Sequence, residues 1–249
     1  APHLPAPGET ILGGIFLMNP GGKGANQAVA AARLGVTVTL ICKTGSDIFG
    51  RQSVELFKKE GIDTAFIFED PLQPSGVALI TVDDNAENCI VVAPGANAHL
   101  TAQDIIPAEN CIKDANIILM QLEIPVETVT YVAAVAVTLN KKVILNPDPV
   151  CILSDELLRN VTIITPNETE AYLLTGIKDI DDDSAENAAR SLQAKGIATI
   201  IINIGDRGAL VINENESPFV TRTRVKSVDN KAATDLFMGD LAVAVTANK

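Results

Sequence analysis

Val161-Thr162-Ile163-Ile164-Thr165-Pro166-Asn167-Glu168-Thr169-Glu170-Ala171-Tyr172-Leu173-Leu174-Thr175-Gly176 passes from a β-branched run through a helix start to a glycine stop. Residues 161–164 are the short apolar run of a buried strand. Asn167 stands just before a helical stretch over 168–174 and three residues ahead of Glu170, the spacing of a capping box. Gly176 offers the left-handed conformation in which helices end. A strand delivered straight into a helix is the unit of a parallel sheet, because the chain must cross over before the next strand can run the same way.

The unit recurs in both directions along the chain. Strand-like runs at 36–42, 116–122, 143–145 and 199–202 alternate with helical stretches at 27–34, 48–60, 126–139, 185–194 and from about Ala233 onward. Gly35, Gly61 and Gly196 stand at the ends of three of these helices, as Gly176 does in the first unit. The acidic run 179–183 reads as a solvated loop before a helix capped by Ser184. The alternation predicts a parallel sheet with helices on both faces, in one large α/β domain or two small ones. Two segments depart from it. Residues 77–82 and 89–93 flank the polar turn Asp83-Asp84-Asn85-Ala86-Glu87-Asn88, a β-hairpin pattern, and 10–18 offers further strand. They form either an edge of the main sheet or a small separate sheet able to act as a lid.

Composition narrows the chemistry. With 31 acidic against 19 basic residues the formal charge is −12, which repels nucleic acid and anionic membrane. Absence of an apolar run of about 18 residues and of a signal-peptide pattern at Ala1-Pro2-His3-Leu4-Pro5 leads to the expectation of a cytoplasmic protein. Cys42, Cys89, Cys111 and Cys151 form no Cys-x-x-Cys pair and read as buried free thiols. His3 and His99 are the two histidines, so catalysis is expected to rest on carboxylates.

Four stretches could carry chemistry. Asn19-Pro20-Gly21-Gly22-Lys23-Gly24-Ala25-Asn26-Gln27 runs glycines into a helix start, where free amides and close backbone approach suit a small polar or anionic ligand. It is neither a Walker A loop nor a Gly-x-Gly-x-x-Gly fingerprint, since Gln27 holds the third glycine's place. A tight loop before a helix is the plain alternative. Asn167 and Glu170, at a strand's carboxyl end, either cap their helix or present oxygens to hydrated Mg²⁺. Asp235, in Ala232-Ala233-Thr234-Asp235, either complements the helix dipole or acts as a general base beside amides able to hold developing phosphoryl charge. Asn203-Ile204-Gly205-Asp206-Arg207-Gly208 and Glu123 lie at two further strand ends, the former as a turn into a hairpin or a nucleotide contact.

Gly21-Gly22-Lys23-Gly24-Ala25-Asn26-Gln27-Ala28-Val29-Ala30-Ala31-Ala32-Arg33-Leu34-Gly35 resembles the first signature of the PfkB carbohydrate-kinase family, in the form carried by its ribose-kinase branch. Similar wording recurs at Pro7-Gly8-Glu9-Thr10, Gln121-Leu122-Glu123, Leu145-Asn146-Pro147, Thr165-Pro166-Asn167-Glu168-Thr169-Glu170 and Gly205-Asp206-Arg207-Gly208, so the resemblance spans essentially the whole chain. It implies a kinase acting on D-ribose at its 5-hydroxyl, with ATP as cosubstrate, Mg²⁺ as cofactor and K⁺ as activator. Gly22, Lys23, Gly24, Ala25, Asn26 and Glu123 are then expected around the sugar, and Asn167, Asn203, Gly205, Asp206, Gly208 and Thr234 at ATP. The resemblance assigns Glu170 to Mg²⁺ through water, Asp229 and the Lys231 backbone to K⁺, Asp235 to the base, and Ala232, Ala233 and Thr234 to the anion hole.

The resemblance further implies one α/β domain over 1–249 with a doubly wound, mostly parallel sheet and helices on both faces, and a homodimer formed through a small β-sheet lid built from about 1–20 and 66–93. A kinase for another sugar or nucleoside, and a catalytically weak sugar-binding relative, are the alternatives. Three departures accompany the match. Thr234 stands where the family has Gly, Lys231 and Asp240 replace residues usually small or uncharged, and the chain begins after the family's first strand, with its sugar-binding Asp, and ends before the segments that contact adenine and complete the K⁺ site.

Overall fold

The computed structural model describes residues 1–85, 87–178, 182–214, 218–221 and 233–247, with the backbone alone for 182, 183 and 206. In chain order the elements are α1 (Lys23–Arg33), β1 (Cys42–Gly45), α2 (Ile48–Lys59), β2 (Ile67–Asp70), β3 (Val77–Val82), β4 (Asn88–Ala93), α3 (Ala102–Ile105), α4 (Glu109–Asp114), β5 (Ile117–Met120), α5 (Val126–Thr138), β6 (Lys142–Leu145), α6 (Asp155–Arg159), β7 (Ile163–Ile164), α7 (Glu168–Thr175), α8 (Asp182–Gln193), β8 (Thr199–Ile204), β9 (Gly208–Ile212), β10 (Phe219–Thr221) and α9 (Ala233–Thr246).

The main sheet has the order β10-β9-β8-β7-β6-β5, with β5 to β8 parallel and β9 and β10 added antiparallel at one edge. Its strands are apolar on both faces because both are covered. Val143, Leu145, Ile164, Ile200 and Ile202 point into one core with Val129, Val132, Ala133 and Ala136 of α5 and Leu192 of α8. The alternate residues Ile144, Ile163 and Ile201 point the other way, onto Met238 of α9. The period-2 alternation of a strand thus feeds two helical layers. Gly35, Gly61, Gly176 and Gly196 all take positive φ, between 75° and 104°, as helix stops.

Several boundaries differ from the sequence reading. α1 starts at Lys23, four residues early, because Gly22 (φ 102°) turns the chain and its carbonyl accepts from the Asn26 amide at 2.9 Å, closing the first turn. α8 starts at Asp182, which places Ser184 inside the helix rather than at its cap; acidic residues are favoured in a first turn by the helix dipole. The run 36–42 contributes strand only from Cys42. Upstream of it a bridge joins Thr39 to Asp63, and the opposite side faces a cavity of about 840 Å³ shared with Ile117 to Met120. Residues 10–18 form no strand, because their backbone has no ladder partner and Leu12, Ile15, Phe16 and Leu17 stay exposed.

The hairpin β3–β4 is a two-stranded sheet of its own, not an edge of the main one. It leaves Leu79, Ile80, Ile90, Val91 and Val92 exposed. All four cysteines are free thiols, but Cys89 and Cys151 are exposed, since one sits on this uncovered hairpin and the other in the loop beside the exposed Ile152. Burial pushes the Cys42 thiol up to about 12. Among the described residues no helix is long and apolar enough to cross a membrane.

Candidate active site

The parallel strands β5 to β8 end along one rim, which puts Glu123 after β5, Asn146 and Asp148 after β6, Asn167 and Glu170 after β7, and Asn203 at the end of β8 side by side. Polar groups at these ends need no strand partner, so α/β sheets offer ligands this edge. The starts of α1 and α9 complete the rim, because the two helices pack tightly against each other.

Asp235 lies in the first turn of α9, with 6% of its surface exposed. Its Oδ2 accepts from Asn26 Nδ2 at 2.8 Å and its Oδ1 from Gln27 Nε2 at 3.0 Å. Gln27 is fully buried. Its Nε2 also reaches Asn146 Oδ1 at 3.3 Å, and its Oε1 accepts from Gln121 Nε2. The carboxylate is therefore oriented by amides that cannot take up its proton, while Ala233 and Thr234 stand exposed two and one residues earlier.

Lys23, the first residue of α1, extends its ammonium between two carboxylates, 2.9 Å from Asp148 Oδ1 and 3.4 Å from Glu123 Oε1. Partial burial disfavours the charge, but the hydrogen bond and field of Asp148, with Glu123 adding to them, win and raise the lysine's pKa. Gly24 lies so close to Gln121 that a Cβ there would sit 2.9 Å from the Gln121 Oε1, so the loop tolerates no side chain at that position without displacing Gln121.

Across the rim the capping box is formed. The Asn167 side chain accepts from the Glu170 amide at 2.9 Å, and the Glu170 carboxylate accepts from the Asn167 backbone at 2.9 Å and from Asn167 Nδ2 at 2.7 Å. Burial nonetheless pushes the Glu170 carboxyl up to about 7, against the Asn167 amide, with the negative field of Asp148 adding to burial and Lys23 opposing it. Asn167 forms a parallel bridge with Asn203, whose amide donates to the Pro166 carbonyl at 2.9 Å. Gly205 opens the 3-10 turn Gly205–Arg207, and Gly208 pairs with Ile204 across the hairpin, so the turn stays at the rim.

The structure thus brings Lys23 to Glu123, Asn26 to Asp235, and Asn167 to both Glu170 and Asn203. Asn26 gives its side-chain amide to Asp235, which places it between the glycine-rich segment and that carboxylate. Asp229, Lys231 and Ala232 lie outside the described residues, as does the side chain of Asp206. The sequence reading missed Gln27, Gln121, Asn146 and Asp148 as members of the site. Asp148 carried one signal: Asn146-Pro147-Asp148-Pro149 follows a strand directly, the position already singled out for Asn167 and Glu123.

Among the described residues no group of three His, Cys, Asp or Glu is placed to enclose a metal ion. Glu170 fits a hydrated divalent ion instead: its buried carboxylate, disfavoured by Asp148, gains from a nearby cation, and Mg²⁺ needs only one or two protein oxygens.

A helix-borne carboxylate stands beside a glycine-rich helix start on one flank, and an Asn/Glu pair at the strand ends on the other, an arrangement compatible with phosphoryl transfer to an alcohol. The chain belongs to the pfkB family carbohydrate kinases, whose family model matches residues 2–249. A ribokinase of Haemophilus influenzae is 43% identical over 248 residues, covering 100% of this chain and 81% of that protein. A deoxyribokinase of Salmonella typhi is 38% identical over 241 residues, 96% of this chain and 79% of its own length. The solved structure of an Arabidopsis thaliana ribokinase with ribose and ATP superposes with a TM-score of 0.92 at 26% identity, covering 99% of this chain and 79% of that one.

Proposed function

We propose that this chain transfers the γ-phosphoryl group of ATP to the 5-hydroxyl of D-ribose, giving D-ribose 5-phosphate and ADP. The observation that carries the reading is the contact between Asn26, just past the glycines at the start of α1, and the Asp235 carboxylate at 2.8 Å, which sets a carboxylate able to act as a base beside the glycine-rich segment. The full-length match to a ribokinase and the likeness to one solved with ribose and ATP support the substrate pair.

In this reading Gly22, Lys23, Gly24, Ala25, Asn26 and Glu123 surround the sugar. Asp235 accepts the proton of the hydroxyl as its oxygen bonds to the γ-phosphorus and the bond to ADP breaks. The amides at Ala232, Ala233 and Thr234 stabilise the charge on the transferred group, as exposed donors of a helix start do. Asn167, Asn203, Gly205, Asp206, Gly208 and Thr234 line the nucleotide. Glu170 would hold Mg²⁺ through water, and the ion would supply charge neutralisation at the phosphates. Asp229 and the Lys231 backbone are the residues assigned to an activating K⁺.

Residues 1–20 and 66–93, the latter containing the hairpin β3–β4, serve as the lid. Its exposed Leu79, Ile80, Ile90, Val91 and Val92 suit burial against a second copy in a homodimer. We place the protein in the cytoplasm, where ATP is at hand and its thiols stay reduced.

The test is ribose-dependent ADP release with Mg²⁺ and K⁺, run beside Asp235→Asn and with 2-deoxy-D-ribose as a second acceptor. Release with ribose that disappears in the variant supports the reading. Preference for the deoxy sugar assigns the acceptor instead as in the Salmonella relative. Ribose binding without ADP release from the unsubstituted chain favours a sugar-binding relative.

A further inference from the structure

Lys23 stands at the first helical position of α1, where the helix dipole disfavours a cation. Helix stability does not account for it, and its ammonium is held by the two carboxylates it meets. The contacts are unequal: the ammonium lies 2.9 Å from Asp148 and 3.4 Å from Glu123, and the shorter separation makes the stronger ion pair. The side chains of Lys23, Glu123 and Asp148 are 28%, 34% and 34% exposed, open to a ligand yet partly withdrawn from water, so the pairing is stronger than on an open surface.

The two carboxylates are mounted on one frame. Glu123 follows β5 and Asp148 follows the adjacent β6, and the Leu122 amide donates to the Asp148 carbonyl at 3.2 Å. The Asp148 amide donates to the Asn146 carbonyl at 2.9 Å, and proline stands on either side of Asp148. The loop thus keeps Asp148 in place while the lysine stem retains rotamer freedom.

We propose that Asp148 is a positioning residue of the sugar site, drawing the Lys23 ammonium off Glu123 so that the Glu123 carboxylate is left to accept a sugar hydroxyl. The proposal rests on the sugar-kinase reading above. With Asp148 uncharged, Glu123 is the carboxylate Lys23 meets, and the ion pair competes with the sugar for the same oxygens.

The test compares Asp148→Asn, Asp148→Glu, Lys23→Met and the double variant Asp148→Asn with Lys23→Met. Calorimetry gives the ribose Kd, steady-state kinetics gives kcat and both KM values, and thermal melting checks the fold. Asp148→Asn is expected to raise the ribose Kd and KM about tenfold, the effect of one charged contact, with the ATP KM and the melting temperature little changed. Asp148→Glu recovers most of the loss. In the Lys23→Met background, which itself loses the lysine's contact with the sugar, Asp148→Asn weakens ribose binding no further, because the competing ammonium is gone. Wild-type affinity in Asp148→Asn overturns the proposal, as do single losses that multiply in the double variant or a melting temperature that falls in step with affinity. If the unsubstituted chain neither binds nor phosphorylates ribose, the sugar-kinase reading fails first, and this inference falls with it.

Discussion

Gly239 and Ala30 meet where α9 crosses α1, so closely that a Cβ built on Gly239 would lie 2.6 Å from the Ala30 Cβ and 3.0 Å from the Gln27 carbonyl oxygen. The contact is made by small residues, and it sets Asp235 of α9, one helical turn away, against Asn26 and Gln27 of α1.

Gly239→Leu therefore separates the helices. The expected outcome is a loss of about 1–3 kcal/mol in stability, from overpacking, and a fall in kcat of about 10²-fold as the base moves off its position. Denaturant melts and kinetics on the same preparation read both. A variant with full activity shows that the crossing does not position Asp235.

Asp235→Asn keeps the shape of the side chain and removes its charge. It also turns one accepting oxygen into a donor that faces the amide of Asn26 or Gln27. We expect kcat to fall about 10²- to 10⁴-fold, the range of a lost general base, while ribose binding by calorimetry survives. Equal losses in binding and turnover would instead mark Asp235 as a sugar ligand.

Thr234 is exposed in the first turn of α9, directly before the base. Thr234→Gly opens the approach to the helix amides and is expected to raise kcat several-fold. Its cost is at most about 1 kcal/mol in helix stability, the usual penalty for a glycine. Unchanged turnover would show that the threonine side chain already leaves the phosphoryl group room.

Glu170 gives a pH signature. Its carboxyl is raised to about 7 in the folded chain, above its ordinary value near 4.5, so the folded state prefers the proton. Its contribution to stability is full below about pH 4.5 and is lost as pH rises through 7. In Glu170→Gln that loss is absent. Without Mg²⁺, the melting temperature of the unsubstituted chain should fall relative to the variant between pH 5 and pH 8, and a difference that stays constant refutes the assignment. Added Mg²⁺ should narrow the gap at pH 8 by favouring the carboxylate, whereas the variant should lose most Mg²⁺-dependent activity.

Most of the frame was readable from local pattern. The capping box at Asn167 and Glu170 and the helix from Glu168 need only neighbours in the chain, and both form as spaced. The early start of α1 was hidden because it depends on the positive φ of Gly22, which composition permits but does not dictate. The hairpin was legible as two strands, but whether it joined the main sheet was not, since pairing is a choice among partners distant in sequence.

The site divides in the same way. By itself the sequence determined the parallel α/β frame and the residue types able to act, because strand and helix periods, caps and glycine stops are short-range chemistry. The tertiary structure alone decided that Asn26 meets Asp235 across 209 positions, that Gln27 links that carboxylate to Gln121 and Asn146, and that Lys23 lies nearer Asp148 than Glu123. Those contacts depend on how closely α1 and α9 pack and on how β5 and β6 align their ends, and such distances are settled when the core closes rather than by the order of residues along the chain.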